Sequence, residues 1–276
     1  MRGRLKKRQA ESDLIAVGDQ VRWTPTATGG IIEEVLPRRS VLSRCPPPPR
    51  AQVEQVIVAN PDQVVVVFSL ANPSLNPLML DRYLVACEAT KLPILIVANK
   101  VDLLEGLPDE DREALGLGLY REIGYEVIYT SAETGENLEL LRERLRGKLS
   151  VLTGPSGVGK SSLLNTLWPD LNLNVGEVSE YNDRGRHTTV VASLLHPEPD
   201  ILVADTPGLR QFRFWDIDPE QLDAFFPEMR PHLGQCHFRP CTHMHEPDCA
   251  VRRAVERGQI SEIRYESYRR MFEHGF

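Results

Sequence analysis

The rhythm of apolar and polar positions changes twice along this chain of 276 residues. Residues 14–44 come in short runs: Leu14 to Val17, Gln20 to Thr24, Gly30 to Leu36, and Val41-Leu42. Gly18-Asp19 and Gly29-Gly30 punctuate them, a pattern that predicts short strands joined by turns. Val21, Trp23, Ile31, Ile32 and Val35 are candidates to line a small barrel. Pro46 to Pro49 and Arg50 then favour an extended spacer, and mark the first boundary.

Beyond Gln52 the texture becomes long apolar runs separated by helical stretches. Val64 to Phe68 is near-continuous and β-branched, as expected for a strand buried on both faces. Further strands are expected at Pro93 to Ala98, Glu126 to Tyr129, Leu149 to Leu152 and Ile201 to Ala204. Helices are expected at Leu78 to Ala89, Asp109 to Ile123, Leu138 to Leu145 and Lys160 to Leu167. This alternation predicts an α/β domain with a parallel sheet. An aromatic stretch (Phe212, Phe214, Trp215) follows, then a cysteine cluster, then a charged helical tail from Cys249 to about Met271. The expected organisation is a partial barrel at 1–45, a linker at 46–51, a nucleotide-binding domain at 52–215 and a metal-binding helical module at 216–276.

Charge changes the picture at the ends. The net charge is −7, yet residues 1–50 hold 10 Lys/Arg against 5 Asp/Glu, and residues 51–229 hold 14 against 28. Residues 230–276 hold 8 against 6. Basic ends on an acidic middle suggest that the ends meet a polyanion. No stretch is long and apolar enough to span a bilayer, and no apolar segment follows the basic N-terminus as in a secretory signal. A cytoplasmic protein without a membrane partner is expected.

Short motifs carry the chemistry. Gly154, Pro155, Ser156, Gly157, Val158, Gly159, Lys160 and Ser161 fit a phosphate-binding loop, with Ser162 next. Phosphate oxygens need close backbone N–H groups, and the glycines permit that approach. Lys160 supplies a point charge to the β- and γ-phosphates, and Ser161 can ligate Mg²⁺. Asp205-Thr206-Pro207-Gly208 lies 44 residues after Ser161. Asp205 is expected to hold Mg²⁺ and the Gly208 N–H to face the γ-phosphate.

Asn99-Lys100-Val101-Asp102 reads as the guanine-specificity element. A carboxylate at Asp102 accepts from N1–H and the 2-amino group, which adenine lacks, and Lys100 can lie over the base. Thr130-Ser131-Ala132 completes it, with Ser131 and Ala132 expected at the nucleotide. Both elements precede the phosphate loop, whereas in most GTPases the base-reading motifs come last. That order is a circular permutation.

Residues 183–189 hold Arg184, Arg186, His187, Thr188 and Thr189 and are positioned like a first switch. Thr188 or Thr189 should reach the nucleotide, with Thr189 favoured for Mg²⁺. The position after Gly208 is Leu209, which cannot hydrogen-bond water. His187 is therefore the candidate to orient the attacking water, with Lys160 and Thr189 as the other catalytic candidates. GTP is expected to order residues 183–189 and 206–212, and so to set the angle of the module that follows. Leu209 also leaves open an RNA-binding factor that uses GTP as a structural switch with negligible turnover.

Cys236, Cys241, His243 and Cys249 offer three thiolates and an imidazole, which suits one tetrahedral structural zinc. His245 and His237 compete with His243 as fourth ligand. Cys45 and Cys87 are isolated and read as packing or loop residues.

Together the permuted motifs, the N-terminal strands and the Cys-Cys-His-Cys cluster resemble the family of small-ribosomal-subunit biogenesis GTPases called RsgA. Val17 to Val21 and Arg38 to Arg44 also look like the end of that family's OB barrel. The resemblance implies a circularly permuted P-loop GTPase domain with an N-terminal OB-like barrel and a C-terminal zinc module. It implies GTP hydrolysis stimulated by the 30S subunit, a role in late maturation of that particle, 16S rRNA contacts from the two end domains, and a monomer. The family also has an apolar residue after its Asp-x-Pro-Gly element and a switch histidine matching His187. An OB fold needs five strands, and residues 1–44 supply three or four, so a partial barrel is expected.

Overall fold

A computed structural model describes residues 15–27, 29–44, 55–104, 117–174, 193–205 and 217–275. Its centre is a six-stranded sheet built from β5 (Gln63–Ser69), β6 (Ile94–Asn99), β7 (Glu126–Tyr129), β8 (Lys148–Thr153), β9 (Ser193–Glu198) and β10 (Ile201–Asp205). The strand order is β7-β6-β5-β8-β10-β9, with β9 antiparallel at one edge and the other neighbours parallel.

β5 shows why the sheet sits where it does, since every residue of Gln63–Ser69 is buried. Val64, Val66 and Phe68 face one core, shared with Leu80 and Leu84 of α1 (Pro77–Thr90) and Tyr120 of α2 (Gly118–Ile123). Val65 and Val67 face the other, shared with Leu141 of α3 (Leu138–Leu145) and Leu163 of α4 (Lys160–Leu167). Helices on both faces remove the solvated side that an alternating strand would need. Of the helix expected over 109–123, residues 109–116 lie outside the described ones and α2 holds the rest. Sequence reading missed β9, whose partly exposed edge residues lack the apolar run of a central strand.

The N-terminal strands form two ribbons: β1 (Val21–Thr26) with β2 (Gly29–Val35), and β3 (Val41–Arg44) with β4 (Gln55–Ala59), both antiparallel. β4 lies past the proline tract yet pairs with β3. Leu42 and Val58 pack on Leu149, Val151 and Ala204, so this second ribbon is seated on the central sheet. The expected strand at 14–17 contributes one bridge among the described residues, Val17 to Val58. Trp23 does not line a barrel: it is 58% exposed. Among the described residues no second layer covers the β1–β2 ribbon, and the indole lies across Gly30, where an added Cβ would come within 2.4 Å of the ring.

The charged tail is two helices rather than one, α5 (Ala250–Glu256) and α6 (Glu262–His274). Gly258 takes φ +69° between them, Ile260 is buried in the turn, and the Ser261 hydroxyl caps α6 by accepting from the Ile263 N–H at 3.3 Å. These helices share a core with Leu222, Phe226 and Met229. Val85 of α1 belongs to the same cluster, which joins the module to the central domain.

Candidate nucleotide site and metal cluster

Four motifs end four parallel strands at one edge of the sheet, two on each side of β5. Asn99 closes β6, Thr130 follows β7, Gly154 follows β8, and Asp205 closes β10. Open α/β sheets place ligands at these carboxyl ends. Asp205 pairs in register with Leu152, one strand over and two residues before the phosphate loop.

The loop is built from backbone. Gly154 takes φ +141°, and a Cβ there would lie 2.0 Å from the Val67 carbonyl oxygen. Gly159 takes φ +93° and would meet the Asn99 amide at 2.3 Å. Neither position tolerates a side chain. Val158 is buried and pins the loop to the core, while α4 begins at Lys160 and points its positive end at the cradle. The Lys160 ammonium donates to the Gly154 and Pro155 carbonyls, each at 2.7 Å. It thus closes the loop on itself, and an arriving phosphate would compete for that charge.

Asn99 is 1% exposed and joins all three elements of the pocket. Its Nδ2 donates to the Val158 carbonyl at 2.9 Å. Its Oδ1 accepts from the Thr130 hydroxyl and the Ala132 N–H, both at 3.3 Å. One side chain therefore registers the base-reading loop against the phosphate loop, 59 residues apart. The Ser131 hydroxyl donates to Asp102 Oδ1 at 2.5 Å and accepts from the Glu133 and Thr134 N–H groups. This bond fixes the orientation of the Asp102 carboxylate. The Lys100 ammonium donates to the Asn72 carbonyl, a partner no motif announced. Ser156, Gly157, Ser161 and Ser162 lie in or beside the loop as expected. His187, Thr188, Thr189, Gly208 and Leu209 lie outside the described residues, as does the Asp205 side chain.

The second cluster is built from side chains. Ligand atoms of Cys236, Cys241, His243 and Cys249 all lie within 4.8 Å of one another. His243 Nδ1 is 3.3 Å from Cys249 Sγ and 3.6 Å from Cys236 Sγ. Three soft sulfurs and one nitrogen converging in a buried space suit zinc. His243 rather than His245 or His237 joins the cluster, and both rivals are exposed. His243 takes φ +61°, and its Nε2 lies 3.1 Å from Asp223 Oδ2. A carboxylate on the far nitrogen fixes the tautomer that presents Nδ1 inward. Asp223 carries no sequence signal, lying 20 residues upstream in a 3₁₀ turn. Burial resists ionisation of Cys236, but the Ala250 N–H and the neighbouring thiols and His243 hold its pKa below the ordinary thiol value. Glu246 organises the ligand loop by accepting from the Thr242 N–H and hydroxyl, and from the Met244 and His245 N–H groups. Burial pushes its carboxyl up, and these donors outweigh that to hold it at about 2.

Known proteins resemble this chain in sequence and fold. The small ribosomal subunit biogenesis GTPase RsgA of Gemmatimonas aurantiaca is 47% identical over 272 residues, 97% of this chain and 87% of that protein. Its namesake from Actinobacillus pleuropneumoniae serotype 5b is 42% identical over 266 residues, 94% of this chain and 75% of its own. The crystal structure of YjeQ from Thermotoga maritima matches with a TM-score of 0.78 at 37% identity, covering 99% of this chain and 88% of that one. YloQ, described as a circularly permuted GTPase, matches at 0.73 and 34%, covering 99% and 84%. The family model for the RsgA GTPase matches residues 35–215, the whole sheet with its motifs. The permuted motif order, the sheet and these likenesses agree: this chain belongs to the RsgA GTPase family and is a GTPase.

Proposed function

We propose that this chain hydrolyses GTP on the small ribosomal subunit, in the cytoplasm and during late maturation of that particle. One observation carries the base-selective part of the reading. Asn99 ties the Asp102 loop, the 130–132 loop and the phosphate loop together, so guanine and phosphates are read by one preassembled site. The relatives' names support the ribosomal role.

Gly154 to Ser161 hold the phosphates by backbone N–H groups, and Lys160 leaves its two carbonyl partners for the β/γ oxygens. Ser161, Thr189 and Asp205 are the residues that would hold Mg²⁺, which neutralises charge developing on the γ-phosphate. Leu209 offers water no hydrogen bond, so His187 is assigned to orient the attacking water. Cys236, Cys241, His243 and Cys249 would hold one structural zinc that shapes the C-terminal module. The end modules suit contact with rRNA: Trp23 is 58% exposed and Phe238 47%, and exposed aromatic rings stack on unpaired bases.

Steady-state GTP turnover with purified 30S subunits, with 50S subunits, and alone tests the reading. A large stimulation specific to 30S is expected, and its loss in His187→Ala. Equal turnover in all three conditions would overturn the ribosomal role, and full stimulated kcat in His187→Ala would overturn that residue's assignment.

A further inference from the structure

The face of α1 opposite the sheet carries Asp81, Val85 and Glu88, at i, i+4 and i+7, all turned to the C-terminal module. Asp81 and Arg264 of α6 are both fully buried, and the guanidinium Nη1 donates to Asp81 Oδ1 at 2.6 Å. The same guanidinium donates from Nε and Nη2 to Glu228 at 2.6 and 3.2 Å. Tyr120 of α2 donates to Asp81 Oδ1 at 2.7 Å. The Arg264 guanidinium also lies over the Phe226 ring at 4.6 Å from its centroid. Seven residues along α1, Glu88 accepts from Arg230 at 2.6 Å and from the Tyr125 hydroxyl at 3.0 Å. Val85, between the two ion clusters, is buried among Leu222, Phe226 and Met229. On its sheet side α1 packs Leu80 and Leu84 in one core with Val64, Val66 and Phe68 of β5. The segment entering the helix is held by the Leu70 N–H on the Asn99 carbonyl, and by Lys100 on the Asn72 carbonyl.

A seam of this kind does not slide. Moving Arg264 off Asp81 by even one helical step would leave the buried Asp81 carboxylate without its cation and the guanidinium Nη1 without that acceptor, and Asp81 Oδ2 already has no hydrogen-bond partner among the described residues. We propose that the Asp81–Arg264–Glu228 cluster bolts the metal module to the nucleotide domain as one rigid body, so nucleotide exchange does not turn the module. This replaces the expectation that GTP sets the module's angle. The module is instead a fixed arm: where it docks on a partner determines how the nucleotide site is presented. The inference rests on the GTPase reading and not on the identity of the partner.

The test is a pulsed-dipolar distance measurement on the full, zinc-loaded chain. Spin labels replace exposed Glu143 on α3 and Glu256 on α5 by chemistry that spares the cysteines. One narrow distance is expected with GDP and with a non-hydrolysable GTP analogue, the means agreeing within about 2 Å, the scale of small helix shifts. A larger nucleotide-dependent shift would overturn the proposal. Arg264→Met is expected to broaden the distribution while zinc content and GTP affinity stay unchanged; an unbroadened distribution in a folded variant would remove Arg264 from the role. The wild-type comparison stands whether or not that variant folds. A nucleotide titration on the same labelled protein reads the GTPase assignment separately.

Discussion

The phosphate loop and the α1–α6 seam are both built to meet charge, one at the surface and one in the core, with opposite materials. The loop is made of backbone, a helix end and one lysine hydrogen-bonded to the loop's own carbonyls, the materials that can take up an anion and release it. The seam uses fixed side chains, Arg264 between Asp81 and Glu228, with no bulk water to replace either partner. A backbone cradle tolerates vacancy because its own donors stay in place. A side-chain ion cluster does not, because removing one member strands the others.

The comparison breaks most sharply at Lys160. Lys160→Ala should lower GTP turnover by about 10²–10³-fold, the usual loss for removing one preorganised donor to developing charge, with the melting temperature unchanged. A stability loss of the size expected at the seam would erase the distinction. Arg264→Met should do the reverse: about 3–5 kcal/mol lost in denaturant unfolding, the range for orphaning a buried charge, with GTP affinity retained. Asp223→Asn should weaken zinc binding by about 10–100-fold in competition with a chelator, because His243 loses the acceptor that fixes its tautomer. Retention of zinc equal to wild type would make Asp223 a bystander.

The smallest effect is pH-dependent. The Glu246 carboxyl is held at about 2 against an ordinary 4.5, so its stabilisation is present above pH 4.5 and lost as pH falls toward 2. Glu246→Gln should cost about 1 kcal/mol at pH 6, the difference between a charged and a neutral hydrogen-bond acceptor. The gap from wild type should close by pH 2–3, and a gap independent of pH would contradict the assignment.

The cradle was legible in the sequence because its backbone geometry demands glycine at fixed offsets, and Gly154 and Gly159 each occupy a site where a Cβ would strike a neighbour. The base-reading loops were legible because they end strands whose apolar runs stand out. The seam was not: Asp81 and Arg264 are 183 residues apart, and each looks like an ordinary charge on a helix until the module folds against α1. The same limit hid Asp223 and the Asn72 carbonyl, whose roles depend on which loop they meet. Trp23 misled in the other direction, since an apolar residue in a strand pattern predicts burial only if a second layer covers it. The break between α5 and α6 was written at Gly258 and Ser261 but overridden by the continuous run of charge around them.

Asp102→Asn tests the central claim most directly, that motifs written before the phosphate loop form one guanine-reading site with it. The change replaces an acceptor facing the 2-amino group with a donor, which suits the 2-oxo group of xanthine. Equilibrium binding of GTP and xanthosine triphosphate to wild type and variant should show the preference reversed, GTP weakened about 100-fold or more for two lost charge-assisted bonds. A variant that still prefers GTP as wild type does would contradict the account, because the base would then be read somewhere else.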